Sequence, residues 1–262
     1  MARKLVFMRT HILEWYVIVE FDKLRRSMNR GDECILFVDN TKNIIPPDDN
    51  SPTKIVNFNG IDIKCFLFNE DVHKISHLPY YTDNPDNNDY SKVLYYNGDY
   101  PFYYIKNYFP DYDYYWCTEY DVFCNGKSYK PFFKQYEKDK SDLIIADYRP
   151  SDINLENFYD SEWVYKKEEH YMSFFPLVRI SSRAVEHLYR TRIMQGQLFE
   201  EIKNPSYTRW IYCETYVPTE LTKAGFKCRL LDTEKLRYQP NYNLNKERIF
   251  EFPDNKLYHP VR

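Results

Sequence analysis

Short apolar runs alternate along this chain with segments whose apolar residues recur at helical spacing. Lys4 to Met8 is an apolar run that predicts a buried strand. From His11 to Met28 the residues Leu13, Tyr16, Val17, Phe21 and Leu24 recur at helical spacing, closed by Asn29-Arg30-Gly31-Asp32. Glu33 to Asp39 predicts a second strand ending in Asp39-Asn40, and Ile61 to Phe68 a third. Between them Asn40 to Asn59, with Pro46-Pro47 and many polar residues, reads as a loop. Pro101 to Tyr108 predicts a short aromatic helix stopped by Pro110. Asp113 to Thr118 is a strand of the kind buried on both faces, and it runs into Glu119-Tyr120-Asp121-Val122. Ser128, with Pro131 in the first turn, opens a helix bearing Phe132, Phe133 and Tyr136. Leu143 to Ala146 is the next buried strand, ending in Asp147-Tyr148.

The second half repeats the alternation more loosely. Phe174 to Ile180 is strand-like, and Ser182 caps a helix striped by Val185, Leu188, Tyr189 and Ile193. Thr219 caps a short helix ending at Gly225, and Phe226 to Leu231 returns as a strand. Tyr80 to Asp89 reads as an acidic surface loop, and the last thirty or so residues as an extended tail. With no repeat and no linker, the pattern predicts one α/β domain: a twisted, mainly parallel sheet flanked by helices.

Composition narrows the function classes. A formal net charge of −3 and a pI of about 6.1 remove the electrostatic footprint of a general nucleic-acid binder. No apolar run reaches the roughly 18 residues that span a bilayer. Arg9 interrupts the short apolar stretch at the N-terminus, so the expected location is the cytoplasm. None of the six cysteines forms a C-x-x-C pair, which favours reduced, buried thiols. The six glycines, at 31, 60, 98, 126, 196 and 225, are far apart. That spacing excludes a G-x-G-x-x-G turn, a P-loop and a G-x-S-x-G elbow. A diphosphate would have to be held through a cation and side chains. The 27 tyrosines include many that must simply pack, but Tyr-rich clefts also stack on sugar faces.

Glu119 and Asp121 stand at the carboxyl end of a buried strand, where α/β sheets open their ligand crevice. Two apart on an extended backbone, they would share one side. Two hard oxygen ligands suit Mg²⁺ or Mn²⁺, although the same E-x-D pattern also serves as a polar turn. His73 and His77 have i,i+4 spacing without the glutamate of an H-E-x-x-H site, so they read as part of a surface helix. Arg179, Arg183, Arg190 and Arg192 concentrate positive charge that holds a phosphate or forms a solvated helix face.

The stretch Asp111-Tyr-Asp-Tyr-Tyr-Trp-Cys-Thr-Glu-Tyr-Asp-Val-Phe-Cys-Asn-Gly126 resembles the metal-binding segment of the GT-A glycosyltransferase superfamily. It is most similar to a little-characterised branch with a Y-W-x-x-E-x-D-V signature. Trp210 to Thr219 and Asn255 to Arg262 resemble two further superfamily segments, in the expected order. The resemblance implies a GT-A-like fold, with residues 1–126 as the nucleotide and metal-binding half. Residues 127–262 would be the acceptor-side half with its tail. It implies a divalent cation, Mn²⁺ or Mg²⁺, on Asp121 with His259 and Glu119, the last replacing the more usual Asp. Glu214 would be the base that takes the acceptor hydroxyl proton, an arrangement that implies inversion. Asp39 and Asn40 would reach the nucleoside, Thr10 or His11 the base or ribose, and Asp147 and Trp163 the sugar pocket. Asp39 also reads as a turn or capping residue. The implied partners are a nucleotide-diphosphate sugar donor and a glycan or glycolipid acceptor, as in bacterial surface polysaccharide or lipopolysaccharide synthesis, with peripheral membrane association. A nucleotidyltransferase making an activated sugar and a non-catalytic carbohydrate-binding protein stand as alternatives.

Overall fold

The structure is a computed structural model and describes residues 2–46, 51–79, 93–151, 163–202, 210–232, 236–238 and 254–261, with only the backbone of 236–238. The expected loop at Tyr80 to Asp89 and most of the expected tail lie outside the described residues.

The main sheet holds β1 (Lys4–Thr10), β2 (Glu33–Asp39), β3 (Thr53–Phe58), β4 (Ile61–Phe68), β5 (Tyr114–Glu119), β7 (Leu143–Pro150), β8 (Tyr171–Ser181) and β9 (Cys228–Leu230). Their order across the sheet is β3-β4-β2-β1-β5-β8-β7-β9. β4, β2, β1, β5, β7 and β9 run one way, and β3 and β8 run against them. The sheet is therefore mainly parallel, as the alternation predicts, and the fold is a single α/β domain. A smaller sheet joins β6 (Phe123–Cys124), β10 (Leu236–Tyr238) and β11 (Leu257–His259) in the order β10-β11-β6.

Alternate residues of the central strands enter two separate cores. Leu5, Phe7, Ile35, Phe37, Tyr115 and Cys117 face one side, where α4 (Tyr100–Tyr108), α6 (Ser182–Ile202) and α7 (Cys213–Lys223) cover them. Val6, Met8, Cys34, Leu36, Val38 and Trp116 face the other, under α1 (Trp15–Arg26) and α5 (Lys130–Lys134). Continuous apolar strands need exactly such helices on both faces, since neither face can be left in water. All six cysteines are free thiols, and five of them are buried. Among the described residues no helix is long and apolar enough to cross a membrane.

Four expectations change. The stretch before Ile61 is not all loop, because Thr53–Phe58 pairs antiparallel with β4. Asn59 and Gly60 both take positive φ (50° and 89°) in the two-residue turn between them, an Asn-Gly hairpin hidden by the polar context. The helix expected to begin at Thr219 begins at Cys213 and contains Pro218. Proline cannot donate to the carbonyl of Glu214 four residues back, and the Ser173 hydroxyl donates to it instead at 2.9 Å. His73 is buried rather than on a helix surface, its Nδ1 2.8 Å from the Tyr104 hydroxyl. The arginine run divides: Arg190 is exposed, but Arg179 pairs with Asp139 and Arg192 with Asp99 in the interior. Neither buried guanidinium forms a solvated helix face.

Candidate functional site

The carboxyl ends of the parallel strands gather the chemically active side chains. Arg9 and Glu119 are Cα partners on β1 and β5, so their side chains leave the same face side by side. The Arg9 guanidinium donates to Glu119 Oε1 through Nη2 and to the Leu94 carbonyl through Nη1, the latter at 3.0 Å. After Glu119 the chain turns, and Asp121 is carried into the interior. The returning C-terminal segment meets it there. Asn125 N–H donates to the Lys256 carbonyl at 2.8 Å, and Val261 N–H to the Asp121 carbonyl at 3.0 Å. Between those bonds Leu257 and Tyr258 pair with Cys124 and Phe123, which fixes where His259 points.

The imidazole Nε2 of His259 lies 3.2 Å from Asp121 Oδ1 and 3.6 Å from Glu119 Oε2. One ligand atom from each of Glu119, Asp121 and His259 lies within 4.8 Å of the others. Asp121 Oδ1 is buried, and beyond the close approach of the imidazole no hydrogen bond satisfies it among the described residues. A buried carboxylate oxygen left this way is costly unless something else occupies its lone pairs. Two carboxylates and an imidazole converging on one point form a donor set that fits a divalent cation such as Mn²⁺ or Mg²⁺.

The electrostatics of the group are strongly coupled. Burial would raise the Glu119 carboxyl, but the Arg9 charge and the facing imidazole hold it down at about 2. Burial would lower His259, yet the carboxylates of Asp121 and Glu119 raise it to about 9. Burial opposes the charge on Arg9, and Glu119 more than offsets it, so the guanidinium stays protonated.

Glu214 stands apart from this cluster, in the first turn of α7. Its Oε1 accepts the Phe175 N–H at 3.3 Å, and its carbonyl is the one held by Ser173. Burial raises its pKa to about 7, helped by the charges of Glu119 and Asp147 and opposed by the Phe175 N–H and Arg9. Glu119, Arg9 and Asp147 are therefore all within electrostatic reach of Glu214. Asp147 sits on β7 at a positive φ of 54°, its Oδ1 3.1 Å from Arg149.

Apart from Trp163, the remaining expected site residues lie at the ends of β1 and β2. Thr10 is buried, and its hydroxyl donates to the Ile12 carbonyl at 2.6 Å. His11 is exposed and meets the Tyr120 ring edge-on at 5.0 Å. Asp39 Oδ1 accepts the Thr41 N–H and hydroxyl, which is turn geometry, and burial raises its pKa. Asn40 is fully buried, its side-chain amide bonded both ways to the Ile45 backbone. Trp163 is in ring contact with Phe199 and Trp210 and packs on the α6 side of the sheet. Arg9 was not expected here. Its signal was a charged residue inside the apolar β1, read only as an interruption.

No family model matches the chain, and neither does any curated protein sequence. Among solved structures, the apo form of mouse xyloside xylosyltransferase 1 is similar over 98% of this chain and 97% of its own, with 9% identity and a TM-score of 0.48.

Proposed function

We propose that this protein is a metal-dependent glycosyltransferase that moves a sugar from a nucleotide-diphosphate donor to a carbohydrate acceptor. The observation that carries the reading is the convergence of Glu119, Asp121 and His259 around the buried Asp121 Oδ1, with Glu214 held separately in the first turn of α7. The superfamily resemblance of the Trp116 to Val122 segment supports it.

Asp121, His259 and Glu119 would hold a divalent cation, which would supply charge to offset the negative charge on a departing diphosphate. Arg9 keeps Glu119 ionised and fixes its orientation toward His259. Glu214 is the base: an acceptor hydroxyl gives its proton to the carboxylate as its oxygen bonds to the anomeric carbon. The bond from that carbon to the diphosphate breaks, and its electron pair leaves with the nucleotide. A carboxyl with a pKa of about 7 is well matched to that role, because it is substantially ionised at neutral pH and still basic enough to accept a proton. Base and leaving group on opposite sides of the anomeric carbon give inversion. In this reading His11, Tyr120 and Asp39 meet the nucleoside at the other end of the site. The acceptor is a glycan or glycolipid of the bacterial surface, made where the donor is present in the cytoplasm.

The test is a screen of UDP-, GDP- and CDP-sugars for cation-dependent hydrolysis, alongside melting curves with each free diphosphate and Mn²⁺. One nucleotide should stabilise the protein only with the cation, and its sugar should be released. Stabilisation by glycans alone would leave a carbohydrate-binding protein in place of an enzyme.

A further inference from the structure

Beside Glu214 the protein displays a cluster of tyrosine rings that no step above uses. Tyr95 and Tyr96 end the short helix α3 (Val93–Tyr96), and their rings meet edge-on at 5.2 Å. Tyr212, the N-cap residue of α7, closes the cluster at 6.4 Å from Tyr95 and 6.2 Å from Tyr96. Tyr95 is 66% exposed, although α3 itself is anchored through buried Val93 and Leu94. The edge contacts with Tyr96 and Tyr212 limit how this ring turns, and a tyrosine has only two χ angles to order on binding.

The place of this cluster is defined by its connections. The Leu94 carbonyl, one residue before Tyr95, accepts the Arg9 guanidinium that holds Glu119. Tyr212 precedes Cys213 and Glu214 in the chain, and a β-carbon on Gly98 would lie 3.0 Å from Cys213 Sγ and 3.2 Å from Arg9 Nη1, so these groups meet beside one residue. Tyr212 packs on the core that holds Phe175 and Cys213, whereas Tyr120 packs on the opposite core with Val122. The tyrosines thus lie on the Glu214 side of Glu119, away from the His11–Tyr120 pair.

We propose that Tyr95, Tyr96 and Tyr212 form the acceptor platform, on which a pyranose ring of the acceptor carbohydrate lies and presents a hydroxyl to Glu214. The C–H face of a pyranose matches the negative face of a tyrosine ring, and the phenol hydroxyls offer polar contacts at its edge. A nucleoside base would also stack on such rings, but its diphosphate would then have to reach back past Arg9 to the Asp121–His259 pair. The inference rests on the transferase reading for the role of the bound sugar, and its test is independent of the donor.

Saturation-transfer NMR with methyl β-glucopyranoside, methyl β-galactopyranoside and methyl α-mannopyranoside tests it directly. Saturation should pass from the protein to the ring C–H protons of at least one glycoside. Tyr95→Ala should weaken that binding about 2- to 10-fold, the range one aromatic contact supplies. Tyr95→Trp should retain it, which a loss of folding could not mimic, and unchanged melting temperatures would complete that control. Absence of transfer to all three glycosides, or transfer that Tyr95→Ala leaves intact, overturns the platform. Calorimetry of the wild-type protein with nucleotide diphosphates and Mn²⁺ keeps the two ideas apart. Cation-dependent nucleotide binding without glycoside binding defeats the platform alone, and the reverse result defeats the transferase reading.

Discussion

Glu214 has a pKa near 7 because it is a carboxylate in a largely apolar place, and that has two separate consequences. As the proposed base it would work only when ionised, so transfer should rise with pH through about 7. As a buried group it acts on stability in the opposite sense. Its folded pKa lies above the ordinary 4.5, so the folded state holds the proton more tightly than the unfolded chain between those values. The contribution is therefore full below about 4.5 and is lost as pH rises through about 7. Glu214→Gln should remove that slope and lower transfer by about 10²–10⁴-fold, while cation-dependent nucleotide affinity stays unchanged. Melting curves at pH 5 and pH 8, with transfer rates on the same variant, check both parts. Near-normal transfer would remove Glu214 from the mechanism. At this scale the sequence was informative where function needs an unusual residue at a strand end. Asp121 was legible from its place after a buried strand, whereas His259 came only from the resemblance of Asn255 to Arg262 to a superfamily segment. Arg9 was missed because its partner, Glu119, is a neighbour only through the parallel pairing of β1 with β5. Asn40 and Thr10 stand at the expected strand ends, but a linear pattern does not reveal that their side chains bond the adjoining loop backbone.

Among the elements, the short β6–β11 pairing matters out of proportion to its size, because together with the Val261–Asp121 backbone bond it brings the end of the chain to Asp121. Gly126 permits it. A β-carbon there would lie 3.1 Å from the Asn255 Cα and nearer still to its side-chain oxygen. Gly126→Ala should therefore push the C-terminal segment outward and turn the His259 imidazole from Asp121. The expected result is a higher cation concentration at half-maximal nucleotide binding, with a melting temperature lowered only slightly, since Gly126 lies outside both sheet cores. A metal titration superimposable on the wild type would show that β11 seats His259 without that close approach. Local periodicity does not mark β11 within the expected extended tail, because it is three residues long and its pairing partner is remote. The helical turn before the expected start at Thr219 contains Pro218. Its missing hydrogen bond is compensated from β8 by Ser173, a tertiary contact no local rule supplies.

The whole molecule holds the two halves of the site on separate supports. Asp121 and His259 rest on the β6–β11 pairing, which α1 secures: Glu20 accepts the Cys124 N–H at 2.9 Å, and Lys23 donates to the Cys124 carbonyl. Glu214 depends instead on the buried Arg192–Asp99 pair. Arg192 grips Asp99 through Nε at 2.8 Å and Nη2 at 3.1 Å, donates to the Ile211 carbonyl and lies 3.7 Å over the Tyr216 ring. Asp99 takes the Tyr103 hydroxyl as well, so α4, α6 and the entry to α7 meet at this pair. Removing one partner leaves an unpaired buried charge, and Arg192→Met should cost about 3–5 kcal/mol in denaturant unfolding. A loss near zero would mean the pair does not hold this face together. The two-sided α/β architecture was legible from the alternation of apolar runs and helical stripes. The division into separately supported halves was not, because it is made by side-chain contacts such as Arg192 with Asp99, 93 residues apart.

Whether Asp121 holds a cation for a nucleotide diphosphate is decided by titration calorimetry on Asp121→Asn. Asparagine keeps the shape of the side chain and one oxygen but removes the charge. With the nucleotide identified by the screen, the wild-type protein should bind its diphosphate in the presence of Mn²⁺ and weakly without it. The variant should keep its melting temperature and lose the Mn²⁺-dependent part of the affinity. A variant that binds the diphosphate with unchanged Mn²⁺ dependence would contradict the account.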